Sequence, residues 1–296
     1  MNLIRNLFDY ESPESRGELI FYRIFEISIL FFAIKFVWEW GLYMDRISDI
    51  VLPLGIANYL DLSFMFGNQV PVINAILISG LLACAFIRIA PKYTYLFALL
   101  LMHLQYASRY TLGEIPHSAN LIGMTLLCFS LAHMFFTDQK IIRRFSMGSV
   151  YFFCGLGYTL AGISKLIGTG FHWIDGRHLW LWMSEKSVDI LSRTGTYETN
   201  LLQEIAYEHH LIATFILLSG LLLELSGIAM WWKKLRPYVL TLIIGTHLGI
   251  QLTMNIVFIA FMVQLLLMAY PWSTLIDAFY NHYAARYPKS TNKANL

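Results

Sequence analysis

The chain has 296 residues, 57% hydrophobic and 16% aromatic, with only 14% charged and a net charge of +2, and its mean hydropathy is +0.56. Soluble domains are about half apolar and a quarter charged, so this is the composition of an integral membrane protein, and the small net charge without blocks of like charge excludes nucleic-acid binding. Cys84, Cys128 and Cys154 lie in apolar runs, odd in number and without CxxC spacing, so they read as small core residues and indicate neither a disulfide framework nor a metal site.

The first segment, residues 1–18, lacks the short apolar core and small-residue cleavage site of a signal peptide and is expected to be retained on the cytoplasmic side. A crossing helix needs about 20 mostly apolar residues. In chain order, Leu19–Leu42, Val70–Ile89, Tyr93–Tyr110, Ser118–Phe136, Met147–Ile167 and His210–Trp232 meet that length. Pro237–Tyr270 is too long for one crossing, and the polar "QLTMN", Gln251 to Asn255, divides it in two. Ile50–Phe66 is apolar but broken by Pro53, Gly55 and Asp61, and reads as interfacial or re-entrant. The expected fold is all-α: a single bundle of about eight transmembrane helices over residues 19–272, with one long extracytoplasmic loop at about 168–209. Residues 273–296 form a cytoplasmic tail that begins as an amphipathic helix.

Short connections on the cytoplasmic side keep an excess of Lys and Arg. With both termini inside, that face receives Arg5, Arg16, Arg88, Lys92, Lys140, Arg143, Arg144, Lys233, Lys234, Arg236, Arg286, Lys289 and Lys293. The outer face receives the mixed loop of Asp45, Arg46 and Asp49, the connection 109–117 and the long segment 168–209. That segment carries "FHWIDGRHLWLWMSEKSVDILSR", whose tryptophans and apolar residues predict a lid folded over the bundle, with "HLWLWM" at the membrane interface.

Charged groups inside apolar helices are paired, face the bundle or serve function. Arg23 with Glu26, and Lys35 with Glu39, are spaced for ion pairs within one helix. Glu224 in "LLLELSG" has no cation three or four residues away and needs a partner from another helix, or protonation. His103, His133 and His247 lie in apolar runs, and His117 with Asn120 opens another; a lone histidine there is most simply a hydrogen-bonded packing residue. Lys165, in "AGISKLIGTGFHWIDGRHL", ends an apolar helix under the aromatic segment. Desolvation would let its amine act as a general base, whereas a long stem would let it reach the interface without any such role. Neither a phosphate-binding loop nor HExxH is present, which disfavours ATP use and metalloprotease chemistry.

"GYTLAGISKLIGTGFHWIDGRHL", "LELSGIAMWWKKLRPYVL" and "GTHLGIQLTMNIVFIAFMVQLLLMAYPW" together resemble the HTTM family, bacterial membrane proteins related to vitamin K-dependent gamma-carboxylase. The likeness runs from about Arg23 to Trp272 and rests on Ala-Gly-hydrophobic-x-Lys-Leu, then Trp-x-x-Gly, then a late His with a downstream Pro-Trp. It implies an intramembrane site facing outward in a bacterial inner membrane. Lys165 would be the catalytic base, a reduced quinone of the vitamin K or menaquinone type the cofactor, and oxygen and carbon dioxide co-reactants. By the same resemblance His117, Asn120 and His247 fall in quinone-site or structural-histidine segments, and Trp173, Asp175 and Gly176 would belong to the lid, with Asp175 either holding an ammonium or capping the loop; Arg23, Glu26 and Glu224 read from their own spacing as structural polar groups. Besides the lipid bilayer, the implied partner is a secreted peptide substrate, and the activity a quinol-dependent lyase of the carboxylase and epoxidase kind. This chain departs from the carboxylase in having Ser164-Lys165 where that enzyme has a lysine pair, and in having too few residues after Trp272 for its luminal domain. Relatives of the sporulation-delaying protein B type imply instead a non-redox partner in the maturation or export of a secreted peptide. Oligomeric state is not encoded in any recognisable pattern.

Overall fold

The computed structural model describes residues 3–44, 52, 54–67, 69–113 and 117–286, and every regular element among them is helical. In chain order these are α1 (Leu3–Leu7), α2 (Arg16–Met44), α3 (Val70–Phe86), α4 (Pro91–Tyr110), α5 (His117–Phe135) and α6 (Gln139–Thr169). The second half holds α7 (Gly176–Thr194), α8 (Leu201–Glu208), α9 (His210–Leu225), α10 (Arg236–Met254), α11 (Ile259–Ala269) and α12 (Trp272–Arg286). Asp45, Arg46, Asp49, Pro53, Lys289 and Lys293 lie outside the described residues, as does the side chain of His117. Within the expected re-entrant segment, the described part forms two short 3-10 turns, Gly55–Asn58 and Ser63–Phe66.

Among the described residues four segments are long and apolar enough to cross a membrane: Ser118–Phe135, Gln139–Ile174, His210–Trp231 and Arg236–Met254. A fifth results if Ile259–Ala269 and Trp272–Tyr283, bent by 61°, form one span. Local chemistry sets the helix limits. Pro71, Pro91 and Pro237 sit in first turns, where their missing N–H is not needed. Asp138 accepts from the Lys140 and Ile141 amides at 2.7 and 3.1 Å to start α6. Asn255, at φ 53°, ends α10 within "QLTMN", and asparagine is one of the few residues that enters this left-handed region readily.

The long connection 168–209 is not a loop. It contains the 3-10 turn Gly170–Ile174, α7 and α8, because "HLWLWM" lies on a helix with an apolar face to bury. Leu179 and Met183 of α7 pack with Ala206, Ala213 and Leu217 in a small core of their own. Trp180 Nε1 donates to the Ala206 carbonyl at 2.6 Å. Gly176 brings α7 against the start of α9, where an added Cβ would lie 2.6 Å from the His210 carbonyl oxygen.

The main core surrounds α2, whose buried face includes Phe25, Ile29, Ala33, Val37 and Trp40. Both expected ion pairs are formed, Arg23 with Glu26 at 2.7 Å and Lys35 with Glu39 at 2.8 Å. Glu26 is fully buried and has two further partners from other elements: Arg88, just after α3, at 2.7 and 3.0 Å, and the Tyr95 hydroxyl of α4 at 2.5 Å. Three donors thus offset the desolvation of one carboxylate. The Arg88 backbone takes φ 67° at this point, so the arginine assigned from sequence to an inner connection also closes a buried network.

Removing one partner of a buried ion pair strands the other and costs about 3–5 kcal/mol. Glu26→Gln is therefore expected to lower the thermal midpoint of the detergent-solubilised protein far more than Glu39→Gln, whose carboxylate is half exposed. Equal shifts in a melting assay would show that the Glu26 network does not hold α2, α3 and α4 together.

Candidate functional site

Lys165 lies near the end of α6, and the close approach of α9 to α6 decides what it meets. Gly155 and Gly162 lie on one face of α6, seven residues apart. A Cβ on Gly155 would be 2.9 Å from the Gly227 carbonyl oxygen, and one on Gly162 would be 3.0 Å from the Leu225 side chain. Thr159 Oγ1 adds a polar tie, accepting from the Ile228 amide at 2.8 Å. With the backbones this close, Glu224 on the last turn of α9 points its carboxylate at Lys165, whose Nζ donates to both Oε1 and Oε2. Lys165, left from sequence between a desolvated base and a stem reaching the interface, is thus half of an amine–carboxylate pair, and Glu224, expected to be a structural polar group needing a partner from elsewhere, finds it in Lys165.

The pair keeps a solvent face, with side-chain exposures of 27% for Lys165 and 21% for Glu224. It borders an apolar cavity of about 520 Å³ between α9, α10 and the lid, walled by Phe215, Leu217, Leu223, Leu242 and Ile250. Trp173 and Trp182 line the same space, and the Trp173 ring centroid lies 4.9 Å from Lys165 Nζ, a cation–π contact. Trp182 packs at 5.7 Å from Trp173, so the cover over the cavity is a joined aromatic pair. Chemically, the site offers one amine and one carboxylate at the edge of a chamber sized for a mostly apolar ligand with one polar end.

The structure separates the remaining expected residues. Asp175 does not hold Lys165. It caps α7 through the Arg177 amide at 3.0 Å and pairs with the Arg177 guanidinium and with His210 Nε2, the latter at 2.9 Å. Those hydrogen bonds from Arg177 and His210 keep its carboxyl well below the usual carboxylate range. Gly176 serves helix packing, and its amide donates to Thr214 Oγ1 at 3.0 Å. Of the three lid residues named from sequence, only Trp173 reaches the pair.

Asn120 and His247 do not share a site. Asn120 lines a different apolar cavity of about 510 Å³ between α4 and α5, together with His103 and Tyr106. His247 turns from the Lys165 cavity toward α6, where its Nε2 meets the Tyr158 hydroxyl at 2.7 Å and its ring packs on Phe258 and Phe261. His133 stacks on Tyr95 beside the Glu26 network, as a packing residue would. Sequence reasoning passed over Tyr158 and Trp182. Tyr158 had a signal, since it stands seven residues before Lys165 and so shares its helix face; Trp182 had only the aromatic richness of its segment. Among the described residues no cluster of three His, Cys, Asp or Glu is arranged to hold a metal ion.

Residues in direct contact couple by about 0.5–3 kcal/mol in double-mutant cycles. Lys165→Met and Glu224→Gln are each expected to lower the melting temperature, and the double variant to lose less than their sum. Strict additivity in the four-member cycle would mean that the pair contributes nothing as a pair. No protein-family model, curated protein or solved structure matches this chain.

Proposed function

We propose that this chain is a membrane enzyme of the HTTM kind, resembling vitamin K-dependent gamma-carboxylase, that uses a reduced quinone at an outward-facing intramembrane site to modify a peptide or small substrate. The observation that carries the reading is the Lys165–Glu224 pair at the edge of an apolar cavity under Trp173 and Trp182. The residues present suit a quinone, because the aliphatic walls fit an isoprenoid tail and the pair supplies the polar end for a hydroxyl. A bound quinol would supply the reducing electrons and a weakly acidic hydroxyl. Lys165 and Glu224 would orient that hydroxyl and hold its proton, while the tryptophans keep water from the cavity.

The pairing changes how a base would work here. Starting as ammonium and carboxylate, the pair can take up one more proton, and that proton ends on a Glu224 oxygen while Lys165 stays cationic to stabilise the anion left behind. Starting as amine and acid, it takes up the proton on Lys165 Nζ. In both accounts the pair is the functional unit, so Glu224 joins Lys165 as a catalytic residue.

The same reading places eight helices, α2 to α6 and α9 to α11, across a bacterial inner membrane with both termini cytoplasmic. Support comes from α2, whose length of 29 residues is ample and whose charges are matched by Glu26 with Arg23 and Arg88, and by Lys35 with Glu39. Paired charges cost far less in lipid than a count of charged residues implies.

The test is oxidation of menaquinol or vitamin K hydroquinone by the purified protein, with the epoxide followed by mass spectrometry. Epoxide from the unaltered protein, reduced at least 100-fold in both Lys165→Ala and Glu224→Gln while quinone still binds, is the expected result. No epoxide, together with quinone-independent co-purification of an unmodified secreted peptide, would overturn it in favour of the maturation or export partner.

A further inference from the structure

At the opposite end of the bundle, the start of α6, the α9–α10 connection and the α11–α12 bend enclose a third cavity of about 560 Å³. Five cations line it: Arg143, Arg144, Lys233, Lys234 and Arg236. Two are cancelled locally. Arg143 forms a two-pronged pair with Glu14 at 2.7 and 2.5 Å, and Arg144 meets Glu18 at 3.0 Å while also donating to the Ser12 carbonyl at 2.9 Å. These bonds fix the N-terminal segment against α6 and form one wall.

The other three meet one carboxylate among the described residues and so keep a net positive charge. Arg236 donates to the carbonyls of Met230 at 2.8 Å and Asn6 at 2.7 Å and lies 3.9 Å over the Tyr151 ring, so it is held in place without a carboxylate. Lys233 reaches only Asp9, at 3.4 Å, and is half exposed. Lys234 is exposed, with no ion pair among the described residues. Hydrogen bonding from Ser12 and the nearby Lys233 hold the Asp9 carboxyl down to about 2, so it stays charged and leaves the trio a surplus of two positive charges.

The rim of the cavity is aromatic. Tyr238, Tyr270 and Trp272 line it, the residue types that gather where headgroups meet acyl chains. Beside it α12, turned by 61° from α11, exposes Leu275 and Phe279, one turn apart. Uncancelled cations inside an aromatic rim, with apolar surface alongside, match a phosphate group that carries acyl chains. We infer that this cavity binds the phosphodiester headgroup of an anionic phospholipid, held by Lys233, Lys234 and Arg236. The inference rests on the membrane reading and is independent of the quinol chemistry at Lys165.

Each Lys or Arg near an anionic lipid surface contributes about 1 kcal/mol, or about fivefold in affinity. The test is native mass spectrometry of the full chain in neutral detergent, titrated with phosphatidylglycerol and with phosphatidylcholine. Expected are preferential retention of phosphatidylglycerol and a loss of about 25-fold in the Lys233→Gln/Lys234→Gln double variant. Both side chains are exposed, so the melting temperature in phosphatidylcholine should not change. Lys140→Gln, at the same end but outside the cavity, is expected to leave binding unaltered. Equal retention of the two lipids, or an equal loss from Lys140→Gln, would overturn the assignment. Displacement of phosphatidylglycerol by millimolar inorganic phosphate would show a site for free anions and overturn the lipid assignment too.

Discussion

A carboxylate withdrawn from water must be matched by donors brought to it, and in an apolar bundle those donors come from other helices. Glu26 and Glu224 each enforce this on a different half of the molecule. Glu26 gathers Arg23 from its own helix, Arg88 from beyond α3 and Tyr95 from α4, fixing three elements around one fully buried group. Among the described residues Glu224 reaches only Lys165, and that contact ties the end of α9 to α6 beside the adjoining cavity.

Close backbone approach is what allows the second pair. Gly155 and Gly162 let α6 lie against the Ser226–Trp231 turn and the end of α9, where a side chain on either residue would meet carbonyl or leucine atoms. Small residues at helix contacts are the usual means of bringing backbones together in lipid, where apolar surface gives no net drive to associate. Gly176 does the same between lid and bundle. The lid is therefore held by packing and by Trp180, and its position over the cavity follows from the sequence of α7 itself.

Much of the helix layout was legible because hydrophobic run length and punctuation are local properties. The runs matched α2 to α5 within a few residues, whereas α6 begins about two turns before its run, α9 gives way to a 3-10 turn before its run ends, and of the polar "QLTMN" only Asn255 lies outside α10. The helical form of the lid was not legible as such, since Trp-rich segments adopt helix or loop according to what they cover. Pairings within one helix, Arg23–Glu26 and Lys35–Glu39, could be read from spacing alone. Pairings across helices could not, which is why Glu224 was left in need of a partner and Asp175 was left between holding an ammonium and capping the loop. Nor does spacing say which cavity a residue serves: Asn120 and His247, named together from sequence, sit on helices with different cavities and different aromatic neighbours.

The two carboxylates show how the same chemistry serves structure in one place and leaves room for reactivity in another. Glu26 is fully buried, with both oxygens engaged by two arginines and a tyrosine, so no lone pair remains for a substrate proton. Glu224 has one partner, a fifth of its surface open and an apolar chamber beside it. Its partner is a lysine, whose three donors on a single nitrogen can turn from the carboxylate to a ligand, whereas the planar guanidinium of Arg88 is locked in a fork. An incoming hydroxyl can thus exchange into the Lys165–Glu224 pair without leaving a buried charge unmatched at any stage. In the proposed function, that property, more than the presence of an isolated amine in the bundle, is what would suit this pair to proton transfer.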